Sequence, residues 1–188
     1  SISLWMNNIG AGTYTLVSKQ ENSGDYRGYN FYIDGTGATA FIAFTLVHDI
    51  GPSRWIQVIG TTDLIGIGWS NLVVTYDGSS NASGVKFYIN GALETSSVIV
   101  DTLGSDTTLS STDFNIGSRD GAGLDIEAQL TQTSIFDSAL SAANVLAIYN
   151  NGRPGDLTSL SPTSWWKMGE EAFCPDYTAS PNVWEIPD

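Results

Sequence analysis

Short runs in which apolar and polar side chains alternate dominate this chain, and they restrict it to a fold built from sheets. In LVVTYDGSSNASGVKFYING, residues 72–91, Leu72, Val74 and Tyr76 alternate with Val73, Thr75 and Asp77. Val85, Phe87 and Ile89 then alternate with Lys86, Tyr88 and Asn90. Successive side chains on a strand point to opposite faces, so a period of two gives each run one face for a core. Residues 78–84 between the runs carry no large side chain and begin and end in glycine, which predicts a hairpin loop. Asn81-Ala82-Ser83 also matches a glycosylation sequon, but turn chemistry already accounts for these residues.

The same reading applies to SISLWM, YTLVSK, YNFYID, AFIAFTLV, RWIQVIG, SSVIV, FNIGS and DIEAQLTQTSIF. About ten strands at this spacing predict an all-β antiparallel sandwich. One segment departs from the period. In SAANVLAIYNNG, Ser141 is placed to cap a helix, Val145, Ile148 and Tyr149 form an apolar stripe, and Gly152 and Pro154 stop it. A single short helix is therefore expected near residues 141–150.

Composition narrows the partners. Acids outnumber bases 20 to 7, for a net charge of −13. Phosphate backbones need clustered Lys and Arg, so nucleic acid is not an expected partner. Anionic lipid is disfavoured for the same reason, and the apolar run at 41–47 is far too short to span a bilayer, so no membrane insertion is expected. One cysteine, Cys174, forms no intrachain disulfide, and with one histidine, His48, it leaves no zinc cage. Ser1 opens directly into SISLW, so a longer chain is expected to precede it.

Taken in order, SISLWM, YTLVSK, WSNLVVTYDGSSNASGVKFYINGAL, FNIGSRDGAG and SIFDSALSAANVLAIYNNG resemble laminin-G-like, concanavalin-A-like jelly rolls. The resemblance runs from residue 1 to about 152, and the sandwich is placed at residues 1–155. It implies two curved sheets stacked face to face with a short helix after the last long strand. It also implies mostly non-catalytic work: glycan recognition, adhesion, or decoration of cell surfaces and virus particles. The expected setting is a virion or an extracellular surface, with other copies of the chain, other virion or surface proteins, or cell-surface glycans as partners.

The same fold hosts glycoside hydrolases whose active strand reads Glu-x-Asp-x-Glu. Here the three positions are Gly123, Asp125 and Glu127. On a strand, Asp125 and Glu127 would share a face, with Cα atoms roughly 6.5–7 Å apart. With glycine where the family places its nucleophile, the acid/base has no partner for retaining hydrolysis. Calcium is the cofactor the resemblance implies, held by oxygen ligands at a sandwich rim. Relatives often carry an Asp-Glu pair where this chain has Thr131 and Gln132. Asp77 and Asn90 are the expected metal ligands, with Asp120 and Asp125 as further candidates.

Aromatic residues suggest sugar stacking, because an aromatic face meets the apolar face of a pyranose. Trp5 and Trp69 lie in strand patterns and are expected in the core, whereas Trp55 follows Gly-Pro-Ser-Arg and is expected exposed. The expected ligand-binding set is Trp55, Arg119, Asp120, Asp125 and Glu127. The tail, residues 156–188, contains SPTSWWKMGEE, which resembles a segment that usually forms the first strand of such domains. A strand near 164–168 is expected to close its own sandwich or to reach a partner, with self-closure favoured. Trp165 and Trp166 would face opposite ways on it, and together with Trp184 they form the expected partner contact. Three functions follow: a structural or adhesion module, a carbohydrate-binding module of a secreted protein, and, less favoured, a laminarinase-like hydrolase.

Overall fold

The computed structural model describes residues 1–7, 9–35, 37–120 and 124–168. Strands β1 (Ile2–Asn7), β6 (Ser70–Tyr76), β7 (Val85–Ile89), β8 (Ala92–Leu93), β11 (Gln129–Ile135) and β12 (Ser164–Trp166) form the first sheet, in the order β12-β11-β1-β6-β7-β8. The second sheet contains β2 (Tyr14–Gln20), β3 (Gly28–Asp34), β4 (Phe41–Asp49), β5 (Arg54–Gly60), β9 (Ser96–Asp101) and β10 (Asn115–Ile116), in the order β10-β2-β3-β4-β5-β9. The described pairings are all antiparallel. Leu4 and Met6 of β1, Leu72 and Val74 of β6 and Phe87 of β7 meet Leu16, Phe31, Ile33, Ile42 and Ile56 of the second sheet. Each such side chain contributes roughly 1.5–3 kcal/mol by leaving water.

The first sheet is covered on its outer face as well. Val73 and Tyr88 pack against Phe136, Leu140, Leu157 and two residues of helix α1 (Ala142–Tyr149), Val145 and Ile148. This explains why β6 is apolar at both alternating sets of positions. Trp5 is buried as expected, but in this outer layer, where it stacks on Tyr149 with ring centroids 6.0 Å apart. Ser141 Oγ accepts a hydrogen bond from Asn144 N at 3.2 Å and caps the helix. The helix ends at Asn150, left-handed at φ 44°, two residues before the expected Gly152.

Other expectations are corrected. Trp69 is 48% exposed rather than core, because β6 begins only at Ser70 and leaves it in the preceding loop. The strand read through DIEAQLTQTSIF is confined to Gln129–Ile135. Asp125 and Glu127 lie ahead of it, exposed and outside any strand. The tail pairs with its own domain: Trp166, Trp165 and Ser164 stand opposite Thr133, Ser134 and Ile135 of β11. Its strand stops at Trp166, and Met168 turns away with φ 56°. Gly123, Cys174 and Trp184 lie outside the described residues. Among the described residues, no helix is long and apolar enough to cross a membrane.

Candidate ligand-binding groove

Among the described residues no helix covers the outer face of the second sheet, yet that face is not simply wetted. Antiparallel register sets its residues in rows. Ser18, Asn30, Thr45 and Gln57 form one row across β2, β3, β4 and β5. On one side of it stand Thr15, Tyr32, Ala43 and Ile59; on the other stand Gln20, Gly28, Val47 and Trp55. The opposite side chains of the same strands, including Phe31, Ile33, Phe44 and Ile56, are the core. In β2 the alternation slips. Leu16 and Val17 both enter the core at a bulge, which returns Thr15 and Ser18 to the outer face.

Ser18, Gln20, Asn30 and Thr45 are all buried although they are polar and face outward. The residues that shelter them come from the loops. Ser18 Oγ donates to Ser118 O at 3.2 Å, and Thr15 N donates to Leu124 O at 2.9 Å, which draws the segments around residues 118 and 124 against β2. Tyr26, Ile50 and Arg119 complete the walls of a pocket of about 230 Å³, with Trp55 at its edge. Gly28 lets β3 approach β2 closely beneath this face. A Cβ there would sit 1.9 Å from Lys19 O, and its φ is 128°, so the position excludes larger residues.

Hydrogen bonding fixes much of this surface and leaves part of it open. Gln57 Nε2 donates to Tyr32 Oη at 2.7 Å, and Gln20 Nε2 donates to Tyr26 O at 2.9 Å. Burial is the main reason the Tyr32 hydroxyl is pushed up to about 12; Asp34 adds to this, while the Gln57 bond and Arg119 oppose it. The hydroxyl therefore stays protonated at neutral pH. The Arg119 guanidinium lies 5.6 Å from the Tyr26 ring centroid and gives one long bond to Gln20 Oε1, at 3.4 Å. Thr15 Oγ1, Asn30 Oδ1 and Arg119 Nε are buried without a hydrogen-bond partner. Unpaired buried polar atoms are uncommon, and three of the six found among the described residues lie on this face, which makes it a candidate for binding polar groups.

An apolar cavity of similar size, about 210 Å³, opens between the sheets beside Tyr29, Phe44 and Phe136. Burial raises the Tyr29 hydroxyl above its usual range, but no unpaired polar side-chain atoms converge there. The outer groove is the stronger candidate.

Of the expected ligand-binding residues, Trp55 and Arg119 line the groove. Asp120, Asp125 and Glu127 are exposed and do not line it. The metal set does not come together. Asp77 Oδ1 accepts from Ser79 N at 2.9 Å at one end of the β6–β7 hairpin, and Asn90 Oδ1 accepts from Asn71 N, also at 2.9 Å, at the other. Both are turn residues at opposite ends of the hairpin, so they do not form a shared calcium site. The described residues contain no group of three or more His, Cys, Asp or Glu arranged to hold a metal. Of the expected partner contacts, Trp165 packs beside the helix layer and donates from Nε1 to Gln132 Oε1 at 2.5 Å, while Trp166 turns to Phe114. Sequence reasoning missed Gln20, Tyr26, Asn30, Tyr32, Thr45 and Gln57. Their outward polar positions on neighbouring strands were visible, but the register that lines them up was not.

A sandwich of two antiparallel six-stranded sheets with one short helix agrees with the family model that matches residues 1–146, that of the concanavalin A-like lectin/glucanases superfamily, laminin G type. The chain belongs to this superfamily. Among solved structures, this concanavalin A-like domain is similar to a native heptameric SAP-like pentraxin from Limulus polyphemus. The two superpose with a TM-score of 0.57 at 13% identity, over 79% of this chain and 68% of the pentraxin chain. At that identity the likeness concerns the fold. No curated protein sequence matches the domain.

Proposed function

We propose that this concanavalin A-like domain is a non-catalytic recognition module that takes one sugar residue of a glycan on the outer face of its second sheet. In this reading it serves adhesion at the exterior of a virus particle or cell. The observation that carries the proposal is the pair of buried, unpaired atoms Asn30 Oδ1 and Arg119 Nε in a pocket that Tyr26, Tyr32 and Trp55 also line. Sugar hydroxyls supply both donors and acceptors, and an indole face covers a pyranose ring. The described residues lining the pocket carry no carboxylate, which supports binding over glycoside hydrolysis with its paired acids. The pocket is smaller than the roughly 300–1,000 Å³ of drug-sized sites, so one ring is the natural occupant and affinity is expected on the order of 0.1–1 mM.

The test is an array of immobilised neutral, carboxylated and sulfated glycans. Binding to one class is expected, and Trp55→Ala should weaken it about tenfold without changing the melting temperature. A blank array, or a Trp55→Ala variant that binds as the parent does, removes the proposal. Release of reducing sugar that disappears in Glu127→Gln would replace it with a hydrolase.

A further inference from the structure

We propose that the groove selects an anionic sugar, and that Arg119 is the group that reads its carboxylate or sulfate; this rests on the glycan reading above. A guanidinium carries five N–H donors in one plane. Among the described residues Arg119 makes a single bond, to Gln20 Oε1 at 3.4 Å, while Nε is buried with no partner. The described ion pairs belong to Arg27 and Arg54, and Arg119 takes part in none of them.

Position strengthens the point. Among the described residues, Arg119 is the only charged one lining the pocket. Tyr26 lies at one side of its guanidinium, with the ring centroid 5.6 Å away, and this holds the fork without consuming its donors. A planar fork of this kind matches the two oxygens of a carboxylate or sulfate, and charge-assisted bonds of that type are about twice as strong as neutral ones. Meanwhile Asn30, Tyr32 and Thr45 remain for hydroxyls, and Trp55 for a ring face. Asp34, which acts on the Tyr32 hydroxyl, opposes an anion in the groove, and the protein's more distant negative charges are largely screened beyond about 8 Å at physiological ionic strength.

The experiment compares trigalacturonic acid with its uncharged methyl ester by calorimetry, alongside the carboxylated, sulfated and neutral members of the glycan array. The acid should bind at least tenfold more tightly than the ester, and Arg119→Gln should abolish that difference. Arg119→Lys, which keeps the charge but loses the fork, should retain part of it, and it decides the matter if the glutamine variant melts early. A sulfated glycan that binds in place of trigalacturonate, with the same dependence on Arg119, supports the inference and identifies sulfate as the anion. Equal binding of acid and ester, or a preference that survives in both variants, overturns the inference. So does an array on which only neutral glycans bind, and if that binding is lost in Trp55→Ala the glycan reading still stands. An array blank for every class overturns both.

Discussion

The rings of Phe114 and Trp166 stack with centroids 5.0 Å apart and planes inclined by 15°, joining the loop that enters β10 of one sheet to the last strand of the other. The pair spans the sandwich where the tail closes it. Trp166 is 36% exposed, so its contribution is partial. Trp166→Ala should lower stability by about 2–3 kcal/mol, with a Phe114–Trp166 coupling of about 0.5–1.5 kcal/mol in a double-mutant cycle. A coupling near zero in urea titrations would mean that the stack does not bind the two sheets together.

Gly28 faces the backbone of β2 with no room for a methyl group. The substitution Gly28→Ala should reduce stability by about 2–4 kcal/mol, through strain at φ 128° and collision with Lys19 O. Because β2 and β3 form the groove floor, glycan binding should fall as well. A variant within 1 kcal/mol of the parent would contradict this.

Alkaline pH should unfold the protein through its buried tyrosines. Tyr32 titrates near 10.0 when unfolded and at about 12 when folded, so between those values the folded state holds the proton that the unfolded state has lost. Its contribution is present in full below about pH 10 and is lost as pH rises through about 12. A shift of that size corresponds to roughly 2–3 kcal/mol. Tyr29, also raised by burial, acts in the same direction. Urea midpoints at pH 8 and 11.5 should therefore diverge in the parent and diverge less in Tyr32→Phe.

Glu94, between β8 and β9, ties the end of β5 to the other sheet's edge. Its carboxylate accepts from Thr61 N and Thr62 Oγ1, each at 2.8 Å, and from Thr62 N at 2.7 Å. Burial on its own would raise the Glu94 carboxyl, but these hydrogen bonds together hold it below the usual range. Their stabilisation is present above the ordinary glutamate value of 4.5 and is lost as pH falls through the lower folded value. Glu94→Ala should be destabilising by about 1 kcal/mol at pH 7, a figure discounted for the side chain's exposure, and less so at pH 3. Equal effects at both pH values would mean that the charge is irrelevant.

Alternation made the sandwich legible, because each run of apolar residues at every second position has to face a core. It failed where strands carry bulges or stop early. Leu16 and Val17 enter the core together, and Asp125 and Glu127 were read onto a strand that begins only at Gln129. Most of the groove was hidden for a related reason. Asn30, Thr45 and Gln57 meet through cross-strand register, and a linear pattern does not contain register. Trp55 and Arg119 were found individually, one as an aromatic at a strand start and the other within a motif. Their placement on one pocket depends on loops folding over the sheet.

The position of β1 has a consequence for how the chain is made. It lies between β6 and β11, with Met6 opposite Leu130 on one side and Ser70 on the other. During synthesis β6 arrives first, and the second neighbour emerges more than a hundred residues after β1. At about 5–20 residues per second that interval is on the order of 6–25 s. Throughout it, one side of β1 offers its backbone to any strand that passes, including those of neighbouring ribosomes' products. A nascent chain of this design gains from a chaperone that holds residues 2–7 until residues 129–135 appear.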